Sequence, residues 1–546
     1  MKTRNLLGAM VAVGIVTSMH TVAAATRPNI LFCIADDASY AHFSANGCTW
    51  VNTPSFDRIA REGLLFRHAY TPNSKCAPSR AVVLTGRNSW QLESAANHGG
   101  SWPEGKYLSF VEALGQKGYF TGMTGKGWGP GEPGQLNGHP RQLAGKPYNA
   151  LKKTPLTDKI SPVDYAANFE AFLRDRPTGQ PFCFWFGAHE PHRDYSLGSG
   201  VRVGKKSPAQ IDRVPLYLPD TPAVRNDMLD YAVEVEYYDT QLGLILEVLE
   251  KSGELENTII VVTSDNAMPF PRLKGTTYEA ALHLPLAIRW GKGITRPGRV
   301  VDDLVSFIDF APTFLEAAGI DRASTGMEAI QGHSLGRIFR NEFGGRIEPG
   351  RDVLYTGQER HDMGRPEDEG YPVRGMLTAR LLYLHNFEPS RWPMCDPITG
   401  YLNTDGGPSK TAVLEENRKG INHWRWVLDF GRRPSEELYD LEHDPDCVIN
   451  LAEDSDWTST KDRMREQLFA ELRKQGDPRM QGNGAVFDRY PYTATLRNFY
   501  SRYLKGEKMR TGWVEETDYE SPDFDPERPL APRAGVAVAK EKATKK

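Results

Sequence analysis

Four short clusters in this sequence bring together side chains able to act on an anion. Asp36-Asp37, His189 and Asp265-Asn266 each come at the end of an apolar, strand-like run. Adjacent acids after a strand are ordinary turn formers and helix caps, so either pair alone says little. Together, three carboxylates and an amide are oxygen donors of the kind a hard divalent cation such as calcium takes. The fourth cluster is Cys76-Ala77-Pro78-Ser79-Arg80. Pro78 suits an early helical position and residues 81–85 continue a helix, so Cys76 is expected at or just before the helix start. Backbone N–H groups and the helix dipole favour an anion there. Arg80 lies one turn later and shares that face. The plain structural reading is a capped helix with an incidental thiol. As a catalytic thiol, Cys76 would need a histidine base, which its neighbours in sequence do not supply. His189-Glu190-Pro191-His192 has the spacing of a zinc pair, but Pro191 is incompatible with the interior helix such a pair needs.

These residues have to be positioned by a βα scaffold, because ligands of parallel α/β sheets bind beyond the carboxyl ends of the strands. The alternation of apolar runs and helical periodicity predicts an α/β fold. Strands are expected over Asn29–Ala35, 182–188 and Thr258–Ser264. Helices are expected from Thr53-Pro54 to Gly63, over 109–117, over 227–251 and over 306–318. After about residue 350 the texture changes to short strands without long helices, over 353–356, 374–378 and 380–385. The chain is therefore divided into a leader (1–25), a large catalytic unit (26–350), a smaller unit with an antiparallel sheet (351–515) and a loose polar tail (516–546).

The 546 residues exceed one ordinary domain, with the hydrophobic (39%) and charged (25%) fractions of a soluble globular protein. Lys2 and Arg4, an apolar stretch from Leu6 to Val16 and Ala23-Ala24-Ala25 read as a secretory leader. The mature protein is expected to be secreted or periplasmic and not held in a membrane. Sixty-six basic against 70 acidic residues give −4, and loss of Lys2 and Arg4 with the leader makes this −6. Such a surface does not suit nucleic acid, so an anionic substrate must be attracted by a local basic pocket. The six cysteines contain no close pair, which excludes a zinc ribbon or redox motif, and Cys33 and Cys183 sit in strands as buried thiols.

At Cys76-Ala77-Pro78-Ser79-Arg80 the chain resembles the type I sulfatases, matching their C-x-P-S-R signature with Asp36-Asp37 before it and Ser264-Asp265-Asn266 after it. Residues 437–441, Asp444-Pro445 and Asn450-Leu451-Ala452 are similar to the C-terminal signature of that family. The resemblance implies an alkaline-phosphatase-like sulfatase fold, with a large mixed sheet flanked by helices and a smaller C-terminal subdomain. It also implies that a sulfatase-maturing enzyme oxidises Cys76 to formylglycine (3-oxoalanine). The hydrated aldehyde then attacks sulfur, and its second hydroxyl later releases sulfate. One calcium ion would be held by Asp36, Asp37, Asp265 and Asn266, with the modified Cys76 as a further ligand. Arg80 would hold the modified side chain, Lys126 and Lys274 would clamp the sulfate, and His189 would protonate the leaving group. His192 is left between a supporting and a structural role. Many relatives carry a histidine where this chain has Trp128, so His98 and His139 are candidates to approach in its place.

Residues 187–193, 218–222, 264–271 and 384–387 resemble the heparan N-sulfatase branch, bacterial members of which also act on algal polysaccharides. The implied substrate is a sulfated carbohydrate carrying N- or O-sulfate. For the sugar itself, Gln358, His361, Asp362 and Arg374 are the candidate binding residues, in loops expected opposite the metal. Two other readings stand beside this one: a phosphomonoester or phosphonate hydrolase of the same superfamily, and a sulfated-glycan-binding protein without turnover.

Overall fold

The computed structural model describes residues 27–525 apart from residue 494. The leader (1–25) and residues 526–546 of the tail lie outside the described residues. The large sheet has eight strands: β1 (Asn29–Ala35), β2 (Leu64–Phe66), β3 (Phe120–Gly125), β4 (Lys146–Pro147), β5 (Phe182–Gly187), β6 (Thr258–Ser264), β7 (Leu286–Arg289) and β8 (Arg299–Val301). They are ordered β8-β2-β7-β6-β1-β5-β3-β4. β1 runs parallel to both β5 and β6, with Cys33 level with Phe186 on one side and Val262 on the other. β7 is antiparallel to both β6 and β2, which makes the sheet mixed. Every residue of β1, β5 and β6 is buried. Their continuous apolar runs are those of strands covered on both faces.

The covering helices are α1 (Pro54–Glu62), α2 (Cys76–Thr85), α3 (Phe110–Gln116), α4 (Tyr165–Asp175), α5 (Pro222–Lys251) and α6 (Phe310–Ala317). On one face Phe186 of β5 stacks at 5.5 Å on Tyr238 of α5, which also packs against α1 and α4. On the other, Phe32 of β1 meets Phe310 and Phe314 of α6 at 5.4 and 6.0 Å. α6 in turn packs against α2 and α3. Ser109 caps α3 reciprocally with Glu112, the two exchanging bonds of 2.9 and 3.1 Å. Thr53 differs from expectation. It occupies the cap position of α1, but its hydroxyl accepts from Ser44 N. The first N–H groups of α1, those of Ser55 and Phe56, go instead to the buried Asp239 carboxylate on α5. A carboxylate from another helix thus does the capping, which local sequence cannot reveal.

A second sheet is an antiparallel meander of β9 (Leu354–Gln358), β10 (Val373–Leu377), β11 (Leu381–Asn386) and β12 (Glu436–Asp440). After α7 (Pro408–Arg418), α8 (Thr458–Lys474) packs on β10 and β11 through Met464, Leu468 and Leu472, four residues apart on one helical stripe. No helix among the described residues is long and apolar enough to cross a membrane. The start of the tail is a correction. Residues 516–524, read as loose because they are polar, are docked: buried Asp518 pairs with Lys410 at 3.0 Å and Glu520 with Arg418 at 3.1 Å. Their charges meet complementary charges on α7, so polarity there marks an ion-paired seam.

Candidate active site and metal centre

Four adjacent strands deliver the site. Asp36 and Asp37 follow β1, Lys126 follows β3, His189 comes two residues after β5, and Asp265 and Asn266 follow β6. Cys76 opens α2, whose residues are all buried. Ser79 fixes this helix to the end of β6, its hydroxyl donating to the Asp265 carbonyl at 2.6 Å. Asp37 takes the sharp turn off β1 with a φ of 80°, a left-handed conformation uncommon outside glycine and asparagine. Its N–H meets the Asp265 carboxylate at 3.1 Å, which ties the two strand ends together.

Arg80 is fully buried and spends its whole guanidinium on this architecture. Nε donates to Asp265 at 2.8 Å, Nη2 to Asp36 at 3.3 Å, and Nη1 to the carbonyls of Lys126 and Gly127 at 2.9 and 3.0 Å. It is a positioning residue joining three strand-end loops. Lys126 Nζ sits on both Asp36 oxygens at 2.8 and 2.6 Å. Lys274 Nζ bonds Asp37 at 2.7 Å, Asp405 at 2.8 Å and His192 Nε2 at 3.1 Å. The thiol of Cys76 lies 3.8 Å from Asp37 Oδ1 and 3.7 Å from Asn266 Nδ2. One ammonium therefore stands on the Asp36 side of Cys76 and the other on the Asp37 side.

The donor atoms of Asp36, Asp37, Cys76 and Asp265 all lie within 4.8 Å of one another. Burial raises Asp37 to about 6, with Lys274 opposing and Asp36 and Asp405 adding to the rise. Burial likewise raises Asp265 to about 7 against the pull of Arg80. Burial also acts on Asp36, but Lys126 and Arg80 outweigh it and hold that carboxyl well below the usual range. Burial pushes the Cys76 thiol up, reinforced by Asp36 and Asp265. The buried Asn266 Oδ1 has no hydrogen-bond partner among the described residues. Crowded carboxylates that resist joint ionisation, beside an orphaned amide oxygen, are what a hard divalent cation would satisfy. The donor set fits calcium.

A pocket of about 610 Å³ opens in front of this cluster, lined by Asp36, Lys126, His189 and His192 among others. His189 is exposed within it, its backbone N–H donating to Tyr165 Oη at 3.1 Å. His192 belongs to the centre rather than to its surroundings, for its ring lies within 4.8 Å of donor atoms of both Asp36 and Cys76. Its Nδ1 is 2.6 Å from the Arg193 carbonyl, which fixes the proton there and leaves Nε2 to accept from Lys274. Enclosure and the Lys274 charge lower this ring to about 4, so it stays neutral.

The sugar-binding expectation is corrected for all four of its residues, which are buried. Arg374 is fully buried beneath the small sheet, paired with Asp477 at 2.7 Å and Glu359 at 2.6 Å and lying over Trp90. Gln358 is buried on β9 and donates to the Tyr371 carbonyl. Both ring nitrogens of His361 are taken, by Gly275 O and Asn73 Oδ1. Each is a structural residue whose polar atoms are directed inward. Asp362 is buried as well, bound by Lys75 at 2.8 Å and His98 at 3.3 Å and lowered to about 2 despite burial, chiefly by Lys75. That engagement explains His98, and His139 is exposed on a short hairpin. Neither replaces the histidine absent at Trp128. The Trp128 indole instead donates to the Ala77 carbonyl at 3.0 Å and stands edge-on to Trp102, bracing the start of α2.

Asp405 and Lys75 were missed. Asp405 lies in Asn403-Thr404-Asp405-Gly406-Gly407, a stretch that reads as an ordinary turn. Lys75 gave one signal, its place immediately before Cys76. All six cysteines are free thiols, with Cys33 and Cys183 buried as expected.

The sequence model described as Sulfatase matches residues 28–320, more than half of the chain. Among curated proteins the chain is 28% identical to N-sulphoglucosamine sulphohydrolase of Homo sapiens, over 81% of this chain and 89% of that protein. It is 26% identical to an ulvan-active sulfatase of Formosa agariphila, over 83% and 81% respectively. A structure solved with its substrate D-glucosamine-2-N,6-O-disulfate superposes with a TM-score of 0.57 at 21% identity, covering 83% of this chain and 98% of that one. The phosphonate monoester hydrolase of Agrobacterium radiobacter has a TM-score of 0.56 at 18% identity, covering 82% and 96%. At such identities the solved structures establish the alkaline-phosphatase-like sulfatase fold.

Proposed function

Because the chain belongs to the sulfatase family and is a sulfuric ester hydrolase, we propose that it removes N- or O-sulfate from a sulfated saccharide, using a nucleophile made from Cys76. One observation carries this reading. Cys76 opens a buried helix with its sulfur clustered among the Asp36, Asp37 and Asp265 carboxylates, between two lysine ammoniums. Formylglycine made at Cys76 by a maturing enzyme would supply a hydrated aldehyde as the nucleophile toward sulfur. Calcium held by Asp36, Asp37, Asp265 and Asn266 would supply Lewis acidity toward the sulfate oxygens.

The chain's own residues do the rest. Lys126 and Lys274 give charge-assisted hydrogen bonds to sulfate oxygens in front of Cys76, and these strengthen as charge develops on them. His192, neutral and bound through Nε2, aims the Lys274 ammonium. His189, open to the pocket, has a ring that burial lowers to about 4; the negative charge of a bound sulfate raises it, and the proton so taken up goes to the departing sugar oxygen or nitrogen. Arg80 touches no open space and acts through the loops it joins. The relatives named for N-sulfoglucosamine and for ulvan both support a carbohydrate substrate. The leader-like residues 1–25 support export to the periplasm or beyond.

The test is sulfate release, read by ion chromatography, from N-sulfoglucosamine, N-acetylglucosamine 6-sulfate and ulvan fragments, with phosphate and phosphonate monoesters in parallel. Release from at least one saccharide, at a kcat/KM above that for the phosphorus esters, is expected. Faster turnover of the phosphorus esters would assign the chemistry to the phosphonate hydrolases, and binding without any release would leave a glycan-binding protein.

A further inference from the structure

A cavity of about 1100 Å³, larger than the reaction pocket, adjoins it, and Lys159 and Arg193 line both. We propose that this cavity binds the saccharide unit next to the reacting one and admits units that carry neither sulfate nor carboxylate. The inference rests on the reading of the smaller pocket as the site of a sulfated saccharide.

Size and continuity come first. Ligand pockets of about 300–1,000 Å³ enclose a drug-sized molecule, so the space exceeds the needs of one sugar ring. A unit linked to a saccharide at His189 would pass Lys159 and Arg193 to enter it. The Arg193 edge is rigid: its guanidinium makes two 2.7 Å bonds to the buried Asp227 carboxylate, which also accepts from Ser409 at the start of α7. The lining also offers the exposed apolar side chains Leu197 and Ile421, at 68% and 51% exposure, together with Pro222 and Ala223 of α5. Such a wall suits the C–H face of a sugar ring.

Charge decides which saccharide. Six acids line the cavity (Asp158, Asp194, Asp227, Glu415, Glu416 and Glu515) against the cations Lys159, Arg193 and Lys419. The acids are matched only in part. Arg193 takes Asp227, Lys159 lies 3.4 Å from Asp194, Lys419 takes Glu415 at 2.8 Å, and Arg425 from outside takes Glu416 at 2.8 Å. Asp158 and Glu515, both exposed, have no cation partner among the described residues. The reaction pocket sets Lys126, Lys159 and Arg193 against Asp36, Glu190 and Glu234 and is balanced, while the adjoining space carries surplus carboxylate. A second sulfate or a uronic acid is repelled there, whereas hydroxyl and amide groups find acceptors.

The experiment compares kcat/KM for N-sulfoglucosamine and N-acetylglucosamine 6-sulfate in three forms: alone, linked to N-acetylglucosamine, and linked to a uronic acid. The neutral disaccharide is expected to exceed both the monosaccharide and the uronic disaccharide by roughly tenfold, the effect of one modest contact. Ala223→Trp, at an exposed helix position, should remove the advantage without changing turnover of the monosaccharide. The double substitution Asp158→Lys, Glu515→Lys should raise turnover of the uronic disaccharide alone. Equal kcat/KM for all three forms, or an advantage that survives Ala223→Trp, overturns the proposal while leaving the sulfatase reading intact. If no sulfate is released from any form, the functional reading has failed, and saturation-transfer NMR with unsulfated N-acetylglucosamine disaccharide judges the cavity separately. A signal in the wild type that is lost in Ala223→Trp supports it; no signal overturns it.

Discussion

Arg80→Lys tests whether the strand-end loops are held by one guanidinium. The native side chain makes four bonds, two to carboxylates and two to carbonyls, with no exposed surface. A lysine ammonium keeps the charge but cannot reproduce the fork, so it reaches one or two of these partners. Losing two charge-assisted bonds in a buried site costs about 3–5 kcal/mol, a drop in Tm on the order of 5 °C or more for a protein of this size. The loop carrying Lys126 then loses its tether to Asp265 and Asp36. A displacement of about 1 Å at a reacting centre is enough for roughly a hundredfold loss of rate. The assay is sulfate release at a temperature where near-UV circular dichroism shows the variant still folded, beside calorimetric unfolding. Both Tm and kcat are expected to fall. A variant with native Tm and native kcat would refute the idea that Arg80 organises the centre, and native Tm with low kcat would instead place Arg80 in contact with substrate.

Three further outcomes are expected. Arg374→Gln leaves Asp477 and Glu359 short of a buried cation and should lower stability by about 3–5 kcal/mol while KM of the folded fraction stays unchanged; a raised KM with native stability would return Arg374 to the sugar site. Burial raises Asp239 to about 6, so its contribution to stability is present below the ordinary carboxylate pKa and is lost as pH rises through about 6, by about 3 kcal/mol in all. Asp239→Asn should flatten that part of the pH–stability curve measured by urea unfolding, and an unchanged slope would contradict the assignment. Removing divalent cations with a chelator should abolish sulfate release and lower Tm, and calcium at a hundred times its Kd should restore about 2.7 kcal/mol of stability; a Tm indifferent to chelator and calcium alike would argue against the donor set described here.

Much of the scaffold was legible because buried parallel strands announce themselves as continuous apolar runs. Asn29–Ala35 and Thr258–Ser264 are bounded in the structure as the sequence predicts. Cys76 is the first residue of its helix, as Pro78 implied. Residues at strand ends were also readable, since topology alone brings Asp36, His189 and Asp265 to one edge; Lys126 came only from the family resemblance, for no strand was expected before it. What stayed hidden depends on contacts between segments distant in sequence. Asp405 reaches Lys274 across 131 positions, and nothing in its turn-like neighbourhood points there. Gln358, His361 and Arg374 looked like exposed loop residues because polar type was taken as a sign of exposure. Instead His361 ties the small unit to the catalytic region through Gly275 and Asn73, while Gln358 and Arg374 make buried bonds within the small unit. Trp128 shows the converse: the absence of a histidine was visible, but its replacement by an indole bracing Ala77 was not.

The most direct test of the whole account is the mass of the tryptic peptide containing Cys76, taken from protein co-produced with a formylglycine-generating enzyme and assayed in the same preparation. The account predicts loss of the thiol in favour of an aldehyde, with sulfate release rising in proportion to the converted fraction. Full sulfate release from protein in which that peptide retains an intact thiol would contradict it.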